Sequence, residues 1–236
     1  MNLVFLVLKL LAVAAIGYLL GSINTSIIVG KFFGIDIRKH GSGNAGATNT
    51  LRTLGAKPAI FTFGGDALKG VIACLLGRLI FGWTIDPSIN QGMQGMFYET
   101  AETGLLVAGL FAILGHNWPI YFGFKGGKGV LTSFAVLLMM DWRIALILLG
   151  VFLAITALTR YVSLGSIIAA FLYPFFTLIP VFGHEGWQFL LASSIVAAII
   201  IFRHGANIGR LIQGKESKVF SKKKEPNALK NKGTRR

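Results

Sequence analysis

The sequence predicts an all-α membrane protein, a seven-transmembrane-helix bundle, and three observations carry that prediction. Several apolar runs approach the ~20 residues needed to cross hydrocarbon. Charged residues make up only 14% of the chain and mean hydropathy is +0.68, whereas soluble domains carry roughly a quarter charged residues. Basic residues also gather in connections on one side of the predicted bundle, as the positive-inside rule requires.

The predicted spans are residues 3–33, 58–83, 99–116, 129–140, 144–159, 162–182 and 187–202. The first does not read as a cleaved signal peptide. Its apolar stretch continues past Gly21 to Phe33, and no A-x-A site ends it. The second holds Asp66 and Lys69 three residues apart on one helix face, where the charges neutralise each other. Ionisable groups inside a span are functional candidates, and a structural pair bracing the bundle is the alternative. Cys74, the single cysteine, lies in an apolar run and reads as a small buried hydrophobe. The fourth span, a dozen residues, crosses only if the Gly-rich stretch before it dips into the membrane.

Orientation follows from charge. With the N-terminus outside, the inner connections 31–57 and 117–128, the Arg160 turn and the segment from Arg203 hold five, two, one and eleven Lys/Arg. Arg78, Arg143 and Lys9 fall outside, Lys9 snorkelling outward from the first span, as do Asp86, Glu99, Glu102, Asp141 and Glu185. The expected topology is N-terminus outside and C-terminus cytoplasmic. The chain divides into a membrane domain, 1–214, and a basic tail, 215–236, expected to be disordered. With a net +9 from Arg203 onward, that tail suits anionic lipid, and nucleic acid is not expected.

Four inner segments carry the chemistry. Gly41-Ser-Gly-Asn-Ala-Gly-Ala-Thr-Asn49 contains G-x-G-x-x-G, but a span rather than a β-strand precedes it, which excludes a dinucleotide fold. Its glycines still let backbone N–H groups converge on an anion, with Ser42, Asn44, Thr48 and Asn49 as neutral donors and Arg52 as a charged fork. Phe124-Lys-Gly-Gly-Lys-Gly129 is no P-loop, since Phe122 and Gly129 stand where glycine and Ser/Thr are required. It is a glycine nest with Lys125 and Lys128 at a helix start, preceded by His116. Arg160 and Ser163 form a third segment, His204 and Asn207 a fourth. Cations and neutral donors with few acids exclude a hard-metal cage and paired-carboxylate chemistry, and suit anionic phosphate.

These motifs, with Arg160-Tyr-Val-Ser-Leu-Gly165 and Asn207-Ile-Gly-Arg-Leu211, occur in the order found in the bacterial acyl-phosphate:glycerol-3-phosphate acyltransferase family (PlsY), which the chain resembles from its first span to about Glu216. The resemblance implies seven membrane helices in the bacterial inner membrane and an active site facing the cytoplasm. It further implies acyl transfer from acyl phosphate to the sn-1 hydroxyl of glycerol 3-phosphate, giving lysophosphatidic acid and phosphate without a cofactor or metal. Contact with the enzyme that makes acyl phosphate is a corollary. Better-known acyltransferases pair His with Asp five positions on; after His40, His116, His184 and His204 those positions hold Ala45, Tyr121, Phe189 and Gly209.

On this reading Ser42, His116 and Asn207 are catalytic. Gly43, Asn44, Thr48, Asn49, Arg52, Lys125, Gly126, Gly127, Lys128, Ser163 and His204 bind substrate. Either His116 or a substrate phosphate oxygen takes the hydroxyl proton. The rival reading is a transporter or flippase for a phosphorylated solute or lipid.

Overall fold

The computed structural model describes residues 3–82, 101–182 and 187–219. The predicted end of the second span at 83, the start of the third, Asp86, Glu99, Glu185 and residues 220–236 lie outside the described residues. Within them the chain is helical: α1 Leu3–Ser22, α2 Thr25–Phe32, α3 Ala47–Leu54, α4 Ala56–Gly82, α5 Ala101–Asn117, α6 Val130–Met140, α7 Trp142–Thr159, α8 Val162–Thr177, α9 Trp187–Arg203 and α10 Gly205–Ile212.

The burial pattern inverts that of a soluble protein. Leu8, Leu11, Phe61, Leu68 and Leu153 are each more than half exposed, while Asn24, Asp66, Lys69 and His116 are buried. Large apolar side chains facing outward, with polar ones withdrawn into an otherwise apolar interior, is what a hydrocarbon solvent selects. Four segments, Leu3–Phe32, Ala56–Phe81, Ala101–Phe122 and Trp142–Thr159, are long and apolar enough to cross a membrane. The pair α9–α10, bent by 57°, passes the same test only when both helices are taken together, as a broken span or a re-entrant loop. Helices α6 and α8, at 11 and 16 residues, fall short of the usual length.

The first span is two helices. Ile23 and Asn24 leave the helix, and the Asn24 side chain caps α2 by accepting from the Ile27 N–H at 3.2 Å. The region 41–57, expected as a loop, contains the amphipathic helix α3. Lys9 does not snorkel outward: it is buried, its ammonium 4.8 Å from the Phe81 ring centre and 5.6 Å from that of Phe5. The ring quadrupoles contribute to holding the cation there, each by about 0.5–2 kcal/mol. Cys74 is buried among apolar side chains, as expected.

Small residues set the helix spacing. Gly17 and Gly21 of α1 lie on the backbone of Ala108 and Ala112 of α5, and Gly77 of α4 faces Gly104 of α5. Such contacts let backbones approach closely, the main source of helix association where lipid is as apolar as leucine. Helix α6 reaches α4, α5 and α7, and α8 sits between α7 and α9.

A Gly21→Leu variant should lose stability, because its Cβ would meet the Ala112 backbone, which cannot give way. A cost of about 1–3 kcal/mol or more is expected, read as a lowered thermal midpoint in detergent; an unchanged midpoint would show that α1 and α5 are not held by this contact.

Candidate active site

The four segments singled out by sequence converge on one cavity of about 300 Å³. Its polar mouth is lined by Ser42, Asn44, Thr48, Arg52, Lys128, Ser163, His204, Asn207 and Glu216, with Asp66 and His116 in its wall. From the mouth it runs between helices past Leu137, Leu148, Phe152, Tyr173, Val196 and Ile200.

The first loop is shaped by Asn49. Its buried side chain accepts from the Ser42 N–H at 2.8 Å and donates to the Ile37 and His40 carbonyls at 3.1 and 2.9 Å. With its amide committed to the loop, Asn49 holds the Ser42 turn in place. Gly41 and Gly43 have φ of 60° and 72°, the left-handed region that glycine enters without strain. The first turn of α3, with Gly46, Ala47 and Thr48, lines the cavity and so presents a helix N-terminus to it.

The second loop is clamped from two directions. Arg203, at the end of α9, donates to the Gly127 carbonyl at 2.8 Å and to that of Gly126 at 3.3 Å, its guanidinium 5.3 Å from the Trp118 ring centre. Arg38 donates to the Phe122 carbonyl at 2.9 Å while paired with Asp36. Gly129 starts α6 with a left-handed φ of 75°. Lys128 then turns inward and Lys125 outward, the latter exposed.

The fourth segment is completed from the tail. Glu216 accepts from Asn207 Nδ2 at 2.6 Å, Ser163 Oγ at 2.8 Å and Arg210 Nε at 2.7 Å. Asn207 in turn accepts from the Lys128 ammonium through its Oδ1. Arg52 donates to the Ser217 carbonyl at 3.2 Å. Burial opposes the Glu216 charge, but the bonds from Arg210, Asn207 and Ser163 outweigh it and hold the carboxyl below its ordinary range. Burial pushes the Lys128 ammonium down to about 8, with Glu216 opposing and Arg210, Arg52 and Arg203 assisting.

The structure therefore brings together Ser42, Asn44, Thr48, Asn49, Arg52, His116, Lys128, Ser163, His204 and Asn207. It places Gly43, Lys125, Gly126 and Gly127 outside the lining. The sequence reading gave no site role to Glu216 or Arg203. The only signal for Glu216 was an acid nine residues past Asn207 in a basic stretch; for Arg203 it was a cation beside His204.

Comparison with known proteins gives the family and the fold. A family model described as glycerol-3-phosphate acyltransferase matches residues 11–214. A glycerol-3-phosphate acyltransferase of a Thermoanaerobacter species is 41% identical over 210 residues, covering 89% of this chain and 95% of that protein. The enzyme of that name from Clostridioides difficile is 42% identical over 212 residues, covering 89% and 96%. Crystal structures of PlsY, an integral membrane glycerol 3-phosphate acyltransferase, are similar in fold. Its glycerol 3-phosphate form aligns with TM-score 0.75 at 37% identity, covering 89% of this chain and 95% of that one. Its lysophosphatidic acid form aligns with TM-score 0.72 at 36% identity, covering 89% and 94%.

Lys128 is charged below its pKa, so anion affinity should be full at neutral pH and fall as pH rises through about 8. Calorimetric binding of inorganic phosphate across that range reads the effect, and Lys128→Arg should remove the fall; a wild-type affinity that stays flat through pH 8 overturns the assignment.

Proposed function

The chain belongs to the glycerol-3-phosphate acyltransferase family of integral membrane enzymes, and we propose that its acyl donor is an acyl phosphate. One observation carries this reading: a single cavity is lined at one part by cations, neutral donors and the Glu216 carboxylate, itself bonded to Ser163, Asn207 and Arg210, and elsewhere by apolar side chains. That shape suits a phosphorylated head group with a fatty chain behind it.

An acyl phosphate is already an activated mixed anhydride, so the protein's task is to align two anions and stabilise developing charge. In our assignment Ser42, Asn44, Thr48 and the first turn of α3 take the donor phosphate. Arg52, Lys128, Ser163, His204 and Asn207 hold glycerol 3-phosphate, with Ser42, His116 and Asn207 nearest the reacting atoms. Asn49, Gly43, Gly126 and Gly127 shape the two loops, and Lys125 draws anions to the entrance. The sn-1 hydroxyl oxygen attacks the carbonyl carbon, and the bond from that carbon to the phosphate oxygen breaks. Inorganic phosphate leaves, and a phosphate oxygen takes the hydroxyl proton, so no protein carboxylate is needed as base.

The positive charge on the inner connections supports an N-out, C-in orientation in a bacterial inner membrane. In this proposal α6 and α8 complete seven crossings and all four loops face the cytoplasm.

The donor assignment is tested on purified protein in detergent, with acyl phosphate, acyl-CoA and acyl carrier protein competing to acylate labelled glycerol 3-phosphate. Lysophosphatidic acid should form from acyl phosphate alone; formation from acyl-CoA without it would reject the donor, and no product in this single compartment would favour a transporter. Lys128→Ala should lower kcat/KM about 10–100-fold, the loss of one charge-assisted hydrogen bond of about 1.5–3 kcal/mol.

A further inference from the structure

Lys69 is a fully committed charge in the bundle. An ammonium has three donors and no acceptor, and Lys69 Nζ has three acceptors within reach. They are Asp66 Oδ1 at 2.9 Å, the Ile23 carbonyl at 3.0 Å and His116 Nδ1 at 2.9 Å. The carbonyl is free because Ile23 sits at the break between α1 and α2. Asp66 is itself braced, its Oδ1 3.4 Å from the Thr25 N–H and its carbonyl accepting from Thr132 Oγ1 at 3.1 Å.

This geometry dictates the state of His116. Facing a group that only donates, Nδ1 must offer its lone pair. The Asp66 carboxylate is 3.6 Å from Nδ1, too far for a proton there to be shared with it. The ring proton of the neutral imidazole is therefore on Nε2. His116 lines the cavity, and its Nε2 edge lies against Gly127, on the side of the Ala45 carbonyl, so closely that a Cβ on that glycine would strike both. The other cavity histidine is set the opposite way: His204 Nδ1 meets the Ile200 carbonyl at 2.8 Å, which can only accept.

We propose that Asp66 and Lys69 are positioning residues that lock His116 as an Nε2–H hydrogen-bond donor to the cavity. In that state His116 stabilises the oxyanion that forms on the attacked carbonyl and does not take the hydroxyl proton. The nature of the charge it meets rests on the acyl-transfer reading above; the tautomer does not. A brace alone would be served by any neutral pair and would leave the imidazole free to choose its tautomer.

The test is 15N NMR of the full-length enzyme labelled at histidine, in detergent, with His116→Gln identifying the His116 signals. Wild type should show His116 protonated at Nε2 and bare at Nδ1, with His204 reversed. A proton on His116 Nδ1 in wild type overturns the proposal, whatever the activity. The Asp66→Asn, Lys69→Met double variant leaves no orphaned charge; it should populate both His116 tautomers. Its kcat should fall about 10²-fold with KM for glycerol 3-phosphate little changed. An unaltered kcat in the folded variant overturns the catalytic part. Failure of the donor assay would leave the NMR pattern standing, so the two readings fail separately.

Discussion

A buried ammonium must find a partner for each of its protons, and Lys69 imposes that constraint on the end of the bundle that carries the cavity. Its partners come from the α1–α2 break, from its own helix α4 and from the end of α5. In hydrocarbon an unpaired backbone carbonyl costs several kcal/mol, so the break at Ile23 and the charge at Lys69 each make the other tolerable. Asp66 neutralises the pair and, through its carbonyl, ties α6 to α4. The helix break, the charged pair and the cavity histidine His116 are therefore one unit rather than three features.

Around that unit the loops are held by side chains whose hydrogen bonds go to the loops themselves. Asn49 spends its amide on the first loop. Arg203 and Arg38 grip carbonyls of the second, and Glu216 gathers Ser163, Asn207 and Arg210. Each uses a charge or an amide to satisfy groups that irregular backbone would leave open. The outcome is a preorganised mouth in which Lys128 and Arg52 retain positive charge without collapsing onto a carboxylate of their own.

The sequence was most legible where composition and motif order speak directly. Membrane residence, helical class, the Asp66–Lys69 pair and the convergence of four glycine-rich or basic segments were all readable from spacing. The break at Ile23 was not, because an apolar run of thirty residues hides a cap such as Asn24. Nor was helix α3, since its eight residues sit among glycines that read as loop. Lys9 looked ready to snorkel because sequence cannot show that Phe81, seventy-two positions on, offers it a ring face.

By itself, then, the sequence determined the solvent of this protein, its helical class and the chemistry of its ligand, because each depends on which residue types are present and at what local spacing. The tertiary structure alone decided which donors are spent and which remain available. Glu216 and Arg203 belong to the active end only because distant segments fold back to one place. The state of His116 follows from a lysine forty-seven residues away. Hydrogen-bond partners are a matter of distance in space, and separation along the chain carries almost no information about it.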